Sequence, residues 1–293
     1  MNEPTAQPHQ GASDSSQQPD ERHAARLAEL IMHRGGNPSA TRAFTAILWR
    51  DIFVTGKEFP IFLAQVILQP LFLLFIFGEV LGELGYTEAG YADVLFPGIV
   101  ALTAFLTALQ NTALPLVLDF SFSKEIEDRL LAPLPTNLVA IEKLVISTVR
   151  ALIAAATMFP LGYWMLGPLP VGWADVPLVV VYIALGGLTG SALGLTLGTW
   201  VPPERINIMF ALVMTPVIFT GSTQFPWPEL DRLPWFQVVT AFNPLTYVSE
   251  LMRAEITTDL PHLSEGICLL ALAGFLTLLL TVGIIGFRRR ALD

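Results

Sequence analysis

The one Gly-Lys pair in this chain, Gly56-Lys57, has neither the upstream glycine nor the following Ser or Thr of a loop that cradles nucleotide phosphates. The four histidines (His9, His23, His33 and His262) are scattered without metal-ligand spacing. The single cysteine, Cys268, sits in an apolar run, which excludes an intramolecular disulfide and a cysteine-based metal centre. No nucleophile, metal-ligand set or carboxylate pair clusters within the apolar runs, so a membrane-embedded enzyme is not supported. What remains is polar chemistry in apolar surroundings. Gln65 and Gln69 lie one helical turn apart, Gln110 and Asn111 are adjacent, and Thr215 and Thr220 share a third apolar run. Polar groups are costly in hydrocarbon and turn toward a cavity or a neighbour. Hydrogen bonding between helices and the wall of a substrate path both remain open for these six. Glu79 is either an attractor for cations or a solvated helix end.

The surroundings are strongly apolar. The 293 residues are 53% hydrophobic and only 14% charged, with mean hydropathy +0.59. An ordinary soluble domain carries nearer a quarter charged residues and is excluded. A hydrocarbon core takes roughly 20 apolar residues per helix. Six runs qualify: 60–81, 93–118, 138–165, 176–200, 206–225 and 266–287. The first starts too late for a cleavable signal peptide. Of the 16 lysines and arginines, all but Arg232 and Arg253 fall on one side of this six-span arrangement. That bias predicts both termini in the cytoplasm. The net charge of -9 is therefore less informative than its distribution.

Between the second and third runs lies a compact charged island, residues 119–137. Phe122, Ile126 and Leu130 recur at four-residue spacing and line one helical face. Lys124 with Asp128, and Glu125 with Arg129, form opposite-charge pairs at the same spacing on another face. Pro133 and Pro135 then stop the helix. A short amphipathic helix carried at the end of two spans can be pushed from outside, which makes it a docking point for a separate protein.

Residues 1–39 are predicted to form a cytoplasmic tail, disordered over its Gln-, Ser- and Pro-rich first part. Residues 40–58 form an expected amphipathic helix, with Phe44, Ile47, Leu48 and Ile52 on one face and Arg42, Arg50 and Lys57 among its polar positions. It either lies along the inner membrane surface or belongs to a small soluble extension. Residues 224–265 are too apolar for a free outer loop. Asn243 is placed to cap a short helix, and Pro244 suits its first turn. Two short helices dipping into the outer leaflet, or a plain loop anchored by tryptophans, are the two readings.

Three segments in this order carry a resemblance. They are Lys124-Glu125-Ile126-Glu127-Asp128-Arg129-Leu130-Leu131-Ala132-Pro133-Leu134-Pro135, then Glu142-Lys143-Leu144, then Asn243-Pro244-Leu245-Thr246-Tyr247 followed by Glu250-Leu251-Met252-Arg253. With six spans and inner termini, the chain from about 40 to 290 resembles a membrane subunit of the ABC-2 type of ABC exporters. That group includes daunorubicin-resistance-like and lipo-oligosaccharide or polysaccharide export permeases. The resemblance implies an all-α membrane protein with six transmembrane helices. It also implies an N-terminal interfacial helix, a cytoplasmic coupling helix, and an outer re-entrant helical hairpin before the last span. Residues 59–290 would form the transmembrane domain.

The implied partners are two copies of an ABC ATP-binding subunit, a second permease subunit as homodimer or heterodimer, and the lipid bilayer; no nucleic acid is expected. ATP and Mg would sit in the partner subunit, with no cofactor or metal on this chain. Phe122, Lys124, Glu125, Ile126, Asp128, Arg129 and Leu130 would couple to the ATPase. Asn243, Pro244, Tyr247 and Arg253 would build the re-entrant motif. The expected function is export of amphipathic or hydrophobic compounds across the plasma membrane. Alternatives are export of polysaccharide or glycolipid, and a non-transporting scaffold for an ATPase. Ile126→Asp or Leu130→Asp is expected to uncouple or dissociate the ATPase while leaving membrane insertion intact. Normal co-purification and normal transport with both variants would remove that face as the docking surface.

Overall fold

The computed structural model describes residues 45, 48–50, 56, 59–86, 90–120, 136–169, 171–257 and 259–292. All of the expected tail, most of the expected interfacial helix, and all seven coupling residues, Phe122 to Leu130, lie outside the described residues. Among the described residues the fold is entirely helical. Helix α1 spans Phe59–Leu73, continues as a π-helix over Leu74–Val80, and closes with one α-helical turn at Leu81–Glu83. Then follow α2 (Tyr91–Leu118), α3 (Thr136–Leu166), α4 (Val176–Trp200) and α5 (Ile206–Thr220). Two short helices, α6 (Pro234–Ala241) and α7 (Pro244–Ile256), precede the long α8 (Glu265–Leu292).

Five of these helices are long and apolar enough to cross a membrane: 60–83, 91–118, 137–166, 176–200 and 265–290. They coincide with five of the six expected runs to within a few residues. The run at 206–225 departs from expectation. Its helix is 15 residues long, which at 1.5 Å per residue is about 22 Å, short of a hydrocarbon core of about 30 Å. The helix stops because something docks on its end. Asn243 donates from Nδ2 to the Val217 carbonyl at 2.9 Å and to Thr220 Oγ1 at 3.0 Å. A Cβ on Gly221 would lie 2.6 Å from the Leu245 side chain. The chain then turns through Ser222, whose φ of 49° is left-handed.

α2 is the centre of the bundle, with its residues from Leu95 to Leu109 all buried. α4 lies against it at backbone distance. A Cβ on Gly190 would fall 2.3 Å from the Phe105 carbonyl oxygen, and one on Gly194 would fall 2.6 Å from that of Leu109. Both helices repeat at four residues, so the small stripe of α4 slides along one face of α2. Gly186 meets Val248 of α7 and Gly187 meets Ala151 of α3, so α4 touches three neighbours through glycines. Gly162 of α3 admits the ring of Phe96, which also packs edge-on against Phe159 at 5.5 Å. By contrast α1 and α8 are mostly uncovered, with Ile61, Leu68, Phe72, Leu270 and Leu278 exposed.

Gly190→Val should separate α2 from α4 and lower the melting midpoint in detergent by at least about 5 °C. Gly274→Val, where a Cβ meets nothing within 4 Å, should melt like the parent protein. Equal midpoints for the two variants would contradict the packing role.

Candidate functional site

The turn between α6 and α7 begins with a cap. Asn243 has extended backbone, and its Oδ1 accepts from the Leu245 amide at 3.0 Å while Pro244 occupies the first helical position, where no amide donor is needed. The other end of the same amide holds α5, as described above. Thr246 reinforces this, donating to the carbonyls of Thr240 at 2.7 Å and Thr220 at 3.1 Å. Tyr247 donates back to the Ala241 carbonyl at 2.8 Å, which closes the hairpin. Asn243, Thr246 and Tyr247 thus use side chains to satisfy backbone groups that a tight helix–helix turn leaves exposed.

One turn further along α7 sits a buried ion pair. Arg253 Nη1 donates to Glu250 Oε1, and both side chains are fully enclosed. Arg253 Nη2 reaches the Ser222 carbonyl at 2.9 Å and the Val94 carbonyl, at the start of α2, at 3.4 Å. Glu250 accepts from the Trp227 amide at 3.0 Å and from the Leu263 amide at 2.8 Å. Two charges therefore tie together α7, the turn after α5, the segment before α6, the top of α2 and the lead into α8. Tyr91 adds a bond from its hydroxyl to the Gln224 carbonyl at 2.9 Å. Glu250 belongs to the same Glu-Leu-Met-Arg segment as Arg253, yet the sequence reading assigned it no role. The one local signal for it is an acid and a base three residues apart, and that spacing alone does not show that the pair is buried.

A second buried pair marks the opposite end of α2. Lys143 of α3 donates to Asp119 Oδ2 at 2.9 Å. These two residues flank the 121–135 segment, and nothing local in the sequence links positions 24 apart. Nearby, Arg290 of α8 donates to the Gly198 carbonyl at 3.0 Å and stacks over the Phe120 ring at 5.1 Å from its centroid. Phe120 in turn contacts Phe287, with centroids 5.4 Å apart. The ends of α2, α3, α4 and α8 at this side of the bundle are joined by these contacts.

The six intramembrane polar candidates divide. Asn111 accepts from Arg150 of α3 at 2.9 Å, and Gln110 approaches Met214 of α5 at 3.8 Å. Thr220 accepts from Asn243. Gln65, Gln69 and Thr215 are exposed on the outer faces of α1 and α5 and are not gathered with the others. Beside Thr220 and Asn243 an open groove of about 420 Å³ lies between α4, α5, α8 and the hairpin. Its remaining walls are aliphatic or aromatic, among them Leu193, Val213, Pro216, Phe242, Phe275 and Leu278.

Residues 42–256 match the family described as ABC-2 type transporter. The chain belongs to that family. It is similar to a putative transport permease, ycf38, of Cyanophora paradoxa, with 29% identity over 71% of this chain and 72% of the relative. It is also similar to the daunorubicin resistance ABC transporter permease DrrB1 of Streptomyces coeruleorubidus, at 24% identity over 76% and 79%. The inner membrane transport permease YadH of Escherichia coli K12 is 22% identical over 63% of this chain and 72% of its own length. These relatives are transport permeases, membrane components rather than enzymes. The protein is accordingly a multi-pass membrane permease. Within the permease, the hairpin, its cap and both charges of its ion pair fall inside the family match.

Removing one partner of a buried ion pair leaves an uncompensated charge and costs about 3–5 kcal/mol. Arg253→Met and Glu250→Gln should each destabilise the permease on that scale. The double variant should cost clearly less than the sum, because neither charge is then left alone. Thermal melts of the four proteins test this, and strict additivity would show that the pair does not act as a unit.

Proposed function

We propose that this permease is the membrane subunit of an ATP-driven exporter whose cargo is amphipathic or hydrophobic. Permeases of this family work with ABC ATP-binding subunits. In this reading two copies of an ATPase carry the ATP and Mg, and they dock on residues 122–130 of a permease dimer, either homomeric or heteromeric. The α6–α7 hairpin lies in the outer leaflet. It completes the crossing that α5 begins, which makes a sixth span from a short helix and the turn above it. Both termini face the cytoplasm, as the one-sided distribution of lysine and arginine requires. Residues 1–39 are a tail, 40–58 an interfacial helix, and 59–290 the transmembrane domain.

The observation that carries the cargo class is the groove of about 420 Å³ beside α5. Its two polar lining side chains, Asn243 and Thr220, are hydrogen bonded to each other. A sugar chain would bury hydroxyls there without partners, at a cost of about 1–3 kcal/mol for each one unmet. An apolar or amphipathic molecule loses nothing. The daunorubicin-resistance permease among the relatives also favours a drug-like compound.

ATP turnover by the complex in lipid nanodiscs, measured against panels of amphipathic drugs and lipid-linked glycans, tests the proposal. Stimulation by drugs, lost in Val213→Trp, which fills the groove, is the expected result. Stimulation by glycans alone would overturn the cargo class. A complex that assembles and answers to neither would overturn export.

A further inference from the structure

Glu79 is the one ionisable residue of α1 between Phe59 and Gly82. It lies in the π-helical stretch Leu74–Val80, and such wide turns inside a helix gather at functional sites. The same stretch brings α1 against α3. A Cβ on Gly78 would lie 3.2 Å from Leu166 of α3 and 3.9 Å from Leu95 of α2. That approach sets Glu79 beside the last turn of α3. The result is a pocket of about 280 Å³ lined by Phe75, Glu79, Trp164 and Met165 alone. It lies away from the groove beside α5, sharing none of its lining residues.

The lining is specific in its chemistry. It combines one carboxylate, two aromatic rings and a thioether, with no basic side chain among them. Among the described residues Glu79 has no ion-pair partner. A carboxylate at an apolar surface is stabilised by a counter-cation, and Phe and Trp faces attract a weakly hydrated cation through their ring quadrupoles. Met165 and the ring edges supply contact for alkyl or aryl substituents. Glu83, in the closing turn of α1, adds a second carboxylate one turn on from Glu79, and the sequence holds no lysine or arginine between Glu79 and α2, so the local charge also favours a cation.

We propose that Phe75, Glu79, Trp164 and Met165 form a binding site for a lipophilic onium cation, such as a substituted ammonium. The same chemistry is presented by the head of a choline or ethanolamine lipid and by a free amphipathic cation. This inference deepens the export reading by naming a cargo class. It is tested by binding alone, so it can fail while export stands, and export can fail while it stands.

The probe is radiolabelled tetraphenylphosphonium, with tetraphenylborate as its counterpart of like shape and opposite charge. The purified permease is reconstituted in nanodiscs of phosphatidylglycerol, and separately in nanodiscs containing phosphatidylcholine. Saturable binding of the cation and none of the anion is expected. Glu79→Gln should weaken the cation by about tenfold or more, and Trp164→Leu by a smaller factor, with Glu79→Asp retaining part of the affinity. Glu79 and Trp164 are exposed, so the variants should melt like the parent, which separates lost binding from lost fold. Loss in the choline-lipid discs of the difference between the parent and Glu79→Gln, which cancels the charge of the lipid surface, would identify a lipid head as an occupant. A difference between the parent and Glu79→Gln that persists in both lipids would identify a free cation. Equal affinity in the parent and Glu79→Gln in both lipids, or no saturable binding in either lipid, would overturn the site.

Discussion

Most polar groups buried in this protein find a partner within it. Away from water an unmatched donor, acceptor or charge costs several kcal/mol, and the architecture follows from meeting that demand. The clearest case is Arg253, enclosed completely and engaged by Glu250, Ser222 and Val94. The arginine can be buried only because four segments converge on it and on its acid. Those segments are placed correctly only because the pair is there. Removing the charges would leave the tight turns after α5 and before α6 without their principal cross-link.

The two described ion pairs stand at opposite ends of α2. Arg253 reaches Val94 at its start, and Lys143 holds Asp119 just beyond its last residue. Between them α2 is sealed by α4, whose glycines bring the two backbones to van der Waals contact. A helix enclosed along its length and anchored at both ends behaves as a rigid strut. Large apolar side chains stay uncovered along α1, α5, α6 and α8, and also on one side of α4, at the two ends of α3 and in the last turn of α2. Both pockets discussed above open beside such uncovered faces.

Much of this was legible in the chain. Five of the spans could be read from hydropathy, because a bilayer demands a continuous apolar helix of set length and sequence composition records that demand directly. The close-packing role of the α4 glycines could be read too, since small residues at four-residue spacing have one obvious use. The length of α5 could not. Residues 206–225 are apolar throughout, and hydropathy cannot see that Asn243, some twenty residues beyond the helix end, takes hold of the Val217 carbonyl and Thr220.

The same division runs through the functional residues. The sequence by itself determined that the protein crosses membranes, that it has the segments of an ABC-2 permease, and that Asn243-Pro244 starts a helix. Each of these rests on local composition or on contacts within a few residues. Only the tertiary structure decided that Glu250 and Arg253 are one buried unit joining four distant segments, and that Lys143 belongs to Asp119. It also decided that Gln65, Gln69 and Thr215 stand apart from Gln110, Asn111 and Thr220. The physical reason is that a partner for a buried polar group is chosen by proximity in the folded bundle, and proximity between helices is set by packing that no single segment encodes.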